Sequence, residues 1–158
     1  MPIVLCRIDD RLVHGQVVMG WGRPLGVQRI VLVDDEVRRS PWEQELYRMA
    51  APPEIAIEFA DSAEAAPRLA AWDGGPERVL ILVGSVATVQ ALDALAPGVL
   101  HQVNLGGIHA GPGRIERLRY LYLSEREQAD LTRLAEQGLE VTAQDLPTSR
   151  VVPLGELK

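Results

Sequence analysis

Residues 3–17 read IVLCRIDDRLVHGQV, and this stretch decides the fold. Residues 3–8 form a short apolar run rich in β-branched side chains, which reads as a buried strand. Gln16 and Val17 open a helix whose Val17, Trp21 and Leu25 fall on one inward face. Between strand and helix, residues 9–15 gather Asp9, Asp10, Arg11 and His14 beside Gly15. Open parallel sheets bind ligands outside the carboxyl ends of their strands, where the N–H groups of the next helix welcome anions. Arg11 adds a permanent planar charge, and His14 adds a nitrogen that is neutral and nucleophilic at physiological pH. Gly15 lets the backbone approach a ligand closely. Phosphate chemistry at His14 follows as the expectation.

Six further runs, at 29–33, 55–59, 79–83, 99–105, 120–123 and 139–143, alternate with helix-like segments. That rhythm predicts an α/β fold, a single-domain open and mainly parallel sheet with helices on both faces. Residues 1–158 read as one domain, and the end from about residue 148 reads as an edge strand or a tail. Ser40, Pro41 and Glu43 predict a capped helix with Trp42, Leu46 and Met49 as its apolar stripe, halted by Pro52 and Pro53. Ser124 and Glu127 predict a second capping box, with Gly138 in a left-handed conformation after the helix. Ser85 caps a helix presenting Val86, Val89 and Leu92 on one face. In residues 61–72, Pro67 requires either a helix start near itself or a kink.

Composition excludes several classes. The net charge is −6 and Lys158 is the only lysine, which opposes the basic footprint of nucleic-acid binding. Cys6 is the only cysteine and lies in an apolar run, so a buried reduced thiol and a cytoplasmic setting are expected. The apolar start is far shorter than the ~20 residues that a membrane span requires, so any tie to a membrane runs through partners.

No pair of histidines or cysteines has metal-ligand spacing, so no metal site is expected. Asp34, Asp35 and Glu36 read as compensation of a helix dipole rather than as a cation site. His101 falls in a strand pattern and reads as packed or hydrogen-bonded. His109 sits in a loop able to approach the first-strand loop. Gly106, Gly107, Gly111 and Gly113 lack the Walker lysine and read as a flexible turn or lid. Trp21, Trp42 and Trp72 read as packing residues of helices.

A phosphoryl group moving onto histidine needs a neutral ring nitrogen in line with phosphorus and charge neutralisation on the equatorial oxygens. His14, Arg11 and the helix start at Gly15 and Gln16 supply these. Asp9 or Asp10 can hold the far ring nitrogen or Arg11, yet an uncompensated acid repels phosphate. A histidine following a strand is also, in general, more often a hydrogen-bonded surface residue than a nucleophile, and Arg11 has an equally plain reading as a salt-bridge partner of Asp9 or Asp10.

RIDDRLVHGQV at residues 7–17, with Trp21 beyond it, resembles the active-site loop of the IIB component of the mannose, fructose and sorbose family of the bacterial sugar phosphotransferase system. The resemblance continues through DDEV at 34–37, AAPP at 50–53 and VNLGGIH at 103–109. It implies a phosphocarrier. His14 would accept phosphate from a phosphohistidine on the IIA component and pass it to sugar at the membrane components IIC and IID, with Arg11 assisting and Asp9 as the loop acid. Neither metal nor nucleotide cofactor is implied, and the chain would be cytoplasmic, peripheral to the inner membrane through its partners. Many relatives carry threonine or asparagine and then proline after the fourth strand, where this chain has Gly84, Ser85, Val86 and Ala87. Ser85 is therefore a weaker candidate phosphate contact than His14 or Arg11. Two other readings stand beside the carrier: a regulatory phosphoacceptor of the same fold, and a Rossmann-like enzyme using His14 as a general base. The helix faces that cover such a sheet also suit a homo-oligomer.

Overall fold

Strands buried on both faces need apolar side chains at every position, and the two central runs of this chain supply them. In the computed structural model, which describes residues 2–157, one seven-stranded sheet runs in the order β3-β2-β4-β1-β5-β8-β9. Its strands are β1 (Ile3–Ile8), β2 (Arg29–Val33), β3 (Ala56–Ala60), β4 (Val79–Val83), β5 (Gln102–Leu105), β8 (Glu140–Ala143) and β9 (Val152–Pro153). All neighbours pair in parallel except β9, a two-residue edge strand that returns antiparallel on β8. Val31, Val33, Val79, Ile81 and Val83 enter one core layer, while Ile30, Leu32, Leu80 and Leu82 enter the other.

The helices are α1 (Gln16–Gly22, wound to the wider π pitch), α2 (Asp35–Arg38), α3 (Pro41–Ala50), α4 (Ser62–Ala65), α5 (Leu69–Gly74), α6 (Val86–Leu95) and α7 (Glu125–Glu136). Helices cover both faces: Val17 and Trp21 of α1 pack in one layer, and Leu69, Val89 and Leu131 pack in the other. Asp34 caps α2 by accepting from Val37 N–H, with Asp35 and Glu36 in its first turn, as the dipole reading expected. Ser85 caps α6, Ser124 and Glu127 close a capping box on α7, and Gly138 has φ +109°. The helix after β3 begins at Ser62 under a capping box made by Asp61 and Glu64, and Pro67 is absorbed where the chain tightens to a 3-10 turn over Ala66–Arg68. Pro67 therefore kinks this segment. None of the described helices is long and apolar enough to cross a membrane.

Several expectations are corrected. The stripe of α3 faces solvent, with Trp42 68%, Leu46 50% and Met49 76% exposed. Tyr47, packed against the core beneath, and polar bonds seat this helix instead: Gln44 donates to the carbonyls of Val37 and Arg38 at 3.0 and 2.9 Å, while the Ser40 side chain makes no capping bond. Trp42 is accordingly not a packing residue. The fifth strand begins only at Gln102, after a turn at Pro97 and Gly98 in which Gly98 has φ +77°. His101 thus precedes the strand, half exposed, with Nε2 3.6 Å from Asp73. Residues near 120 do not join the main sheet: β6 (Arg114–Leu118) and β7 (Leu121–Ser124) form a separate antiparallel hairpin. The charged sequence RIERL of β6 hides its strand character, since none of its residues is buried.

One polar cluster holds the carboxyl end of β1. Arg7 is fully buried and donates to Asn104 Oδ1, to the Gln144 carbonyl at 2.9 Å and to the Asp145 carbonyl at 3.1 Å. Its guanidinium stacks 4.8 Å from the Trp21 ring and lies 3.5 Å from Asp9 Oδ2. Gly106 is the wall of this slot, because a Cβ there would overlap the Arg7 guanidinium, and at Gly107 a Cβ would lie 3.3 Å from both Arg11 and Asp9. These two glycines are fixed packing elements rather than part of a lid. Gly113, with φ +74°, does make a turn. Burial alone would raise the Asp9 carboxyl, yet the nearby His14 ring, the hydrogen bonds from Arg11 and the charges of Arg11 and Arg7 hold it well below the usual carboxylate range.

Two outcomes follow from the cluster. Gly106→Ala is expected to lower unfolding free energy by about 1–3 kcal/mol through overpacking, read in urea titration. Because the folded carboxyl of Asp9 is depressed, its stabilisation is complete above the unfolded value of about 4 and is lost as pH falls toward the lower folded value. Asp9→Asn should therefore flatten the acid limb of a stability-versus-pH curve, and an unchanged limb would contradict the pairing.

Candidate active site

The loop after β1 is held at both edges of its strand. Asp9 N–H donates to the Val83 carbonyl at 2.9 Å, Gly106 N–H to Ile8 at 2.7 Å, and Asp10 N–H to Gly107 at 2.8 Å. The loop therefore lies between the ends of β4 and β5, where ligand sites of open parallel sheets form. Leu12 N–H then closes a turn on the Asp9 carbonyl at 2.9 Å. Leu12 adopts φ +59°, a left-handed conformation that side chains disfavour. Its side chain is buried in the core layer of α1 and packs near Gly84, where a Cβ would lie 3.2 Å from it. Val13 is buried beside it, so the inversion at Leu12 is anchored and delivers His14 to the start of α1.

His14 is 21% exposed. Its Nδ1 accepts the backbone N–H of Gln16 at 3.2 Å. Only an unprotonated Nδ1 can accept, so the neutral ring carries its proton on Nε2. Nε2 is buried without a hydrogen-bond partner among the described residues and lies 3.5 Å from Asp9 Oδ2. Arg11 grips the same carboxylate through Nε and Nη2, both at 3.0 Å, and its own N–H donates to Asp9 at 3.1 Å. The hydrogen bond to Asp9 raises the Arg11 guanidinium above its ordinary range. Its remaining arm, Nη1, reaches Gln16 Oε1 at 3.0 Å, and Gln16 Nε2 donates to Asp145 at 3.2 Å.

Asp9, Arg11, His14 and Gln16 are thus brought together, with Gly15 between the last two. Gly15 has an ordinary helical φ of −54°, and a Cβ on it would meet nothing. Its side of the loop is open space. Ser85 is not part of this constellation. Its hydroxyl accepts from Thr88 N–H at 3.3 Å and lies 3.0 Å from the Thr88 hydroxyl, making no hydrogen bond to Arg11, His14 or Gln16.

Sequence reasoning missed Arg7, Asn104 and Asp145. An arginine inside an otherwise apolar strand was the available signal for Arg7, since a buried charge must be paired. Asp145, in the loop after β8, carried no local signal. His109 does reach the first-strand loop, through Asp10. A cavity of about 450 Å3 opens beside Arg11 and Gln16, walled also by His109, Tyr120, Tyr122 and Asp145. The burial of Cys6, expected from sequence, is present and pushes its thiol up to about 12.

Known proteins share this architecture. The chain is 29% identical over 158 residues to the mannose-specific EIIAB component of Escherichia coli K12, covering 99% of this chain but 48% of that protein. It therefore spans about half the length of that relative. Over 159 residues it is also 29% identical to the N-acetylgalactosamine-specific enzyme IIB component 2 of the same organism, covering 99% of each. The IIB domain of the sorbose permease of Klebsiella pneumoniae superposes with a TM-score of 0.86 at 26% identity, over 99% of this chain and 96% of that one. The description "PTS system sorbose subfamily IIB component" matches residues 3–157. With that match across nearly its whole length, the chain belongs to the sorbose-subfamily IIB components of the sugar phosphotransferase system.

Proposed function

We propose that this chain is a phosphocarrier that accepts a phosphoryl group on His14 Nδ1 from a phosphohistidine of a IIA component. It then delivers that group to sugar at membrane IIC and IID components. The observation that carries the reading is the setting of the ring: Nδ1 faces the N–H of Gln16 at the start of α1, and Arg11 reaches the same residue. In the transfer, the donor P–N bond breaks as the P–Nδ1 bond forms, and the donor imidazole leaves. Nε2–H stays on the ring, facing the ionised Asp9, which stabilises the positive charge that the ring gains. The Gln16 N–H passes from Nδ1 to a phosphoryl oxygen, and Arg11 neutralises the equatorial charge. In the onward step the P–Nδ1 bond breaks as a sugar hydroxyl oxygen bonds phosphorus, the hydroxyl proton leaving to a base on the acceptor side.

The partner proposal is supported by the relative named as a joined EIIAB component. Relatives named for mannose and N-acetylgalactosamine are equally similar to this chain, which supports placing sugar choice in the membrane components. The carrier would then act on the cytoplasmic side, reaching the membrane through those partners.

Incubation with phosphorylated IIA should place acid-labile phosphate on the wild-type protein and none on His14→Ala; equal labelling of the two would sink the reading. Added membranes containing IIC and IID should discharge the label onto sugar, whereas a label that persists would favour a regulatory phosphoacceptor. Arg11→Lys keeps the charge but loses the fork that spans Asp9 and Gln16, so labelling should slow roughly 10- to 100-fold, measured per folded protein.

A further inference from the structure

Two adjacent acids flank the phosphoacceptor loop, and only one is neutralised by arginine. Asp9 is paired with Arg7 and Arg11. The Asp10 carboxylate is held instead by a single residue from another part of the chain: His109 N–H donates to Oδ2 at 2.8 Å, and His109 Nδ1 lies 2.7 Å from Oδ1. Against an ionised carboxylate, Nδ1 must be the donor. His109 is itself fixed by its neighbours. Ile108 N–H donates to the Tyr120 carbonyl and Tyr122 N–H to the Ile108 carbonyl, both at 3.0 Å. Arg114 donates to the His109 carbonyl at 3.1 Å while bound to Glu127 at 3.0 and 3.1 Å. A continuous set of polar contacts therefore runs from the capping box of α7 to Asp10. The His109 side chain is 70% exposed, so truncating it opens no cavity in the core.

We propose that His109 is a positioning residue for phosphoryl transfer at His14, acting through Asp10. Its two donors keep that carboxylate engaged on segment 106–113, so that it neither swings toward a dianionic phosphoryl group nor competes with Asp9 for Arg11. They also fix the loop on which Arg11 and His14 are mounted. This inference rests on the phosphocarrier reading. The requirement is for a donor at the Nδ1 position, so asparagine, whose amide nitrogen can occupy that place, should substitute for histidine and alanine should not.

Phosphoramidate serves as a small donor that needs no partner protein: its P–N bond breaks as the P–Nδ1 bond to His14 forms, and ammonia leaves. Rates of acid-labile phosphohistidine formation are followed by 31P NMR across donor concentrations, so that the maximal rate and half-saturation separate. His109→Ala is expected to lower the maximal rate roughly tenfold, the scale seen when a group that orients an active residue is removed, with the melting temperature essentially unchanged. His109→Asn should recover most of the rate. In an Asp10→Asn background, His109→Ala should change the rate less than about twofold, because the carboxylate through which it acts is gone. A His109→Ala rate equal to wild type overturns the role. So does a loss of the same size for Ala and Asn that persists with Asp10→Asn. Wild-type protein that takes phosphate from neither phosphoramidate nor IIA fails the carrier reading and this inference together. Wild-type labelling with an indifferent His109→Ala fails this inference alone.

Discussion

A guanidinium buried at the end of a central strand constrains everything around it. Arg7 is fully shielded from water, and an unpaired charge in that position would cost several kcal/mol. The compensation comes from four separate places: Asn104 on β5, the carbonyls of Gln144 and Asp145 after β8, the face of Trp21 on α1, and Asp9 on the loop itself. Meeting those demands fixes the relative placement of β1, β5, the segment after β8 and the first helix. The pairing is not a large net source of stability, since ion pairs of this kind repay little more than their desolvation. Its effect is geometric. Asp9, drawn into the cluster, has no freedom left, and Arg11 and His14 are then set against an immobile carboxylate.

The turn at Leu12 is the second constraint, and its energetics explain why the loop keeps an unfavourable conformation. A left-handed φ costs roughly 1–2 kcal/mol for a residue bearing a side chain. Burying a leucine side chain contributes about 1.5–3 kcal/mol, and Leu12 is buried beside Val13 in the layer beneath α1. The strain is therefore held by packing rather than by glycine. Reversal at this point brings the ring of His14 back to within 3.5 Å of Asp9, five residues earlier in the chain.

What the sequence revealed and concealed follows from which interactions are local. Residues 30–33 and 79–83 are legible as strands because burial on both faces demands unbroken apolar runs, and 3–8 remain legible although Arg7 interrupts the run. Ser85 and Ser124 are legible as caps because capping is decided within four residues. Ser85 is ambiguous for the same reason: a hydroxyl at a helix start reads equally as a cap or as a phosphate contact, and here it accepts from Thr88 N–H. The α3 stripe failed for a different reason, since periodicity reports amphipathicity and not which face meets the sheet. His14, Arg11 and Asp9 lie within six residues and could be read together. Arg7 and Asp145 meet across |i−j| of 138, a pairing that only the completed sheet creates.

The same long-range pairing bears on why a relay would be built this way. Arg7 and Arg11 bring two positive charges and Asp9 one negative, a sum of one that Asp145, bonded to Gln16, offsets further. A phosphoryl dianion arriving at Nδ1 would meet that reduced charge and the N–H groups of α1 rather than two unopposed guanidiniums. For a carrier this balance matters more than affinity. Stabilisation confined to the bound phosphoryl group would deepen the ground state and slow release, whereas stabilisation of charge developing on the equatorial oxygens serves acceptance and delivery equally. Asp9, by opposing half of the arginine charge and facing the proton on Nε2, would keep the phosphoryl group held but transferable. In that reading the acid beside a phosphate site is a functional necessity, and Arg11, with the buried Arg7 behind it, is what allows it to stay ionised there.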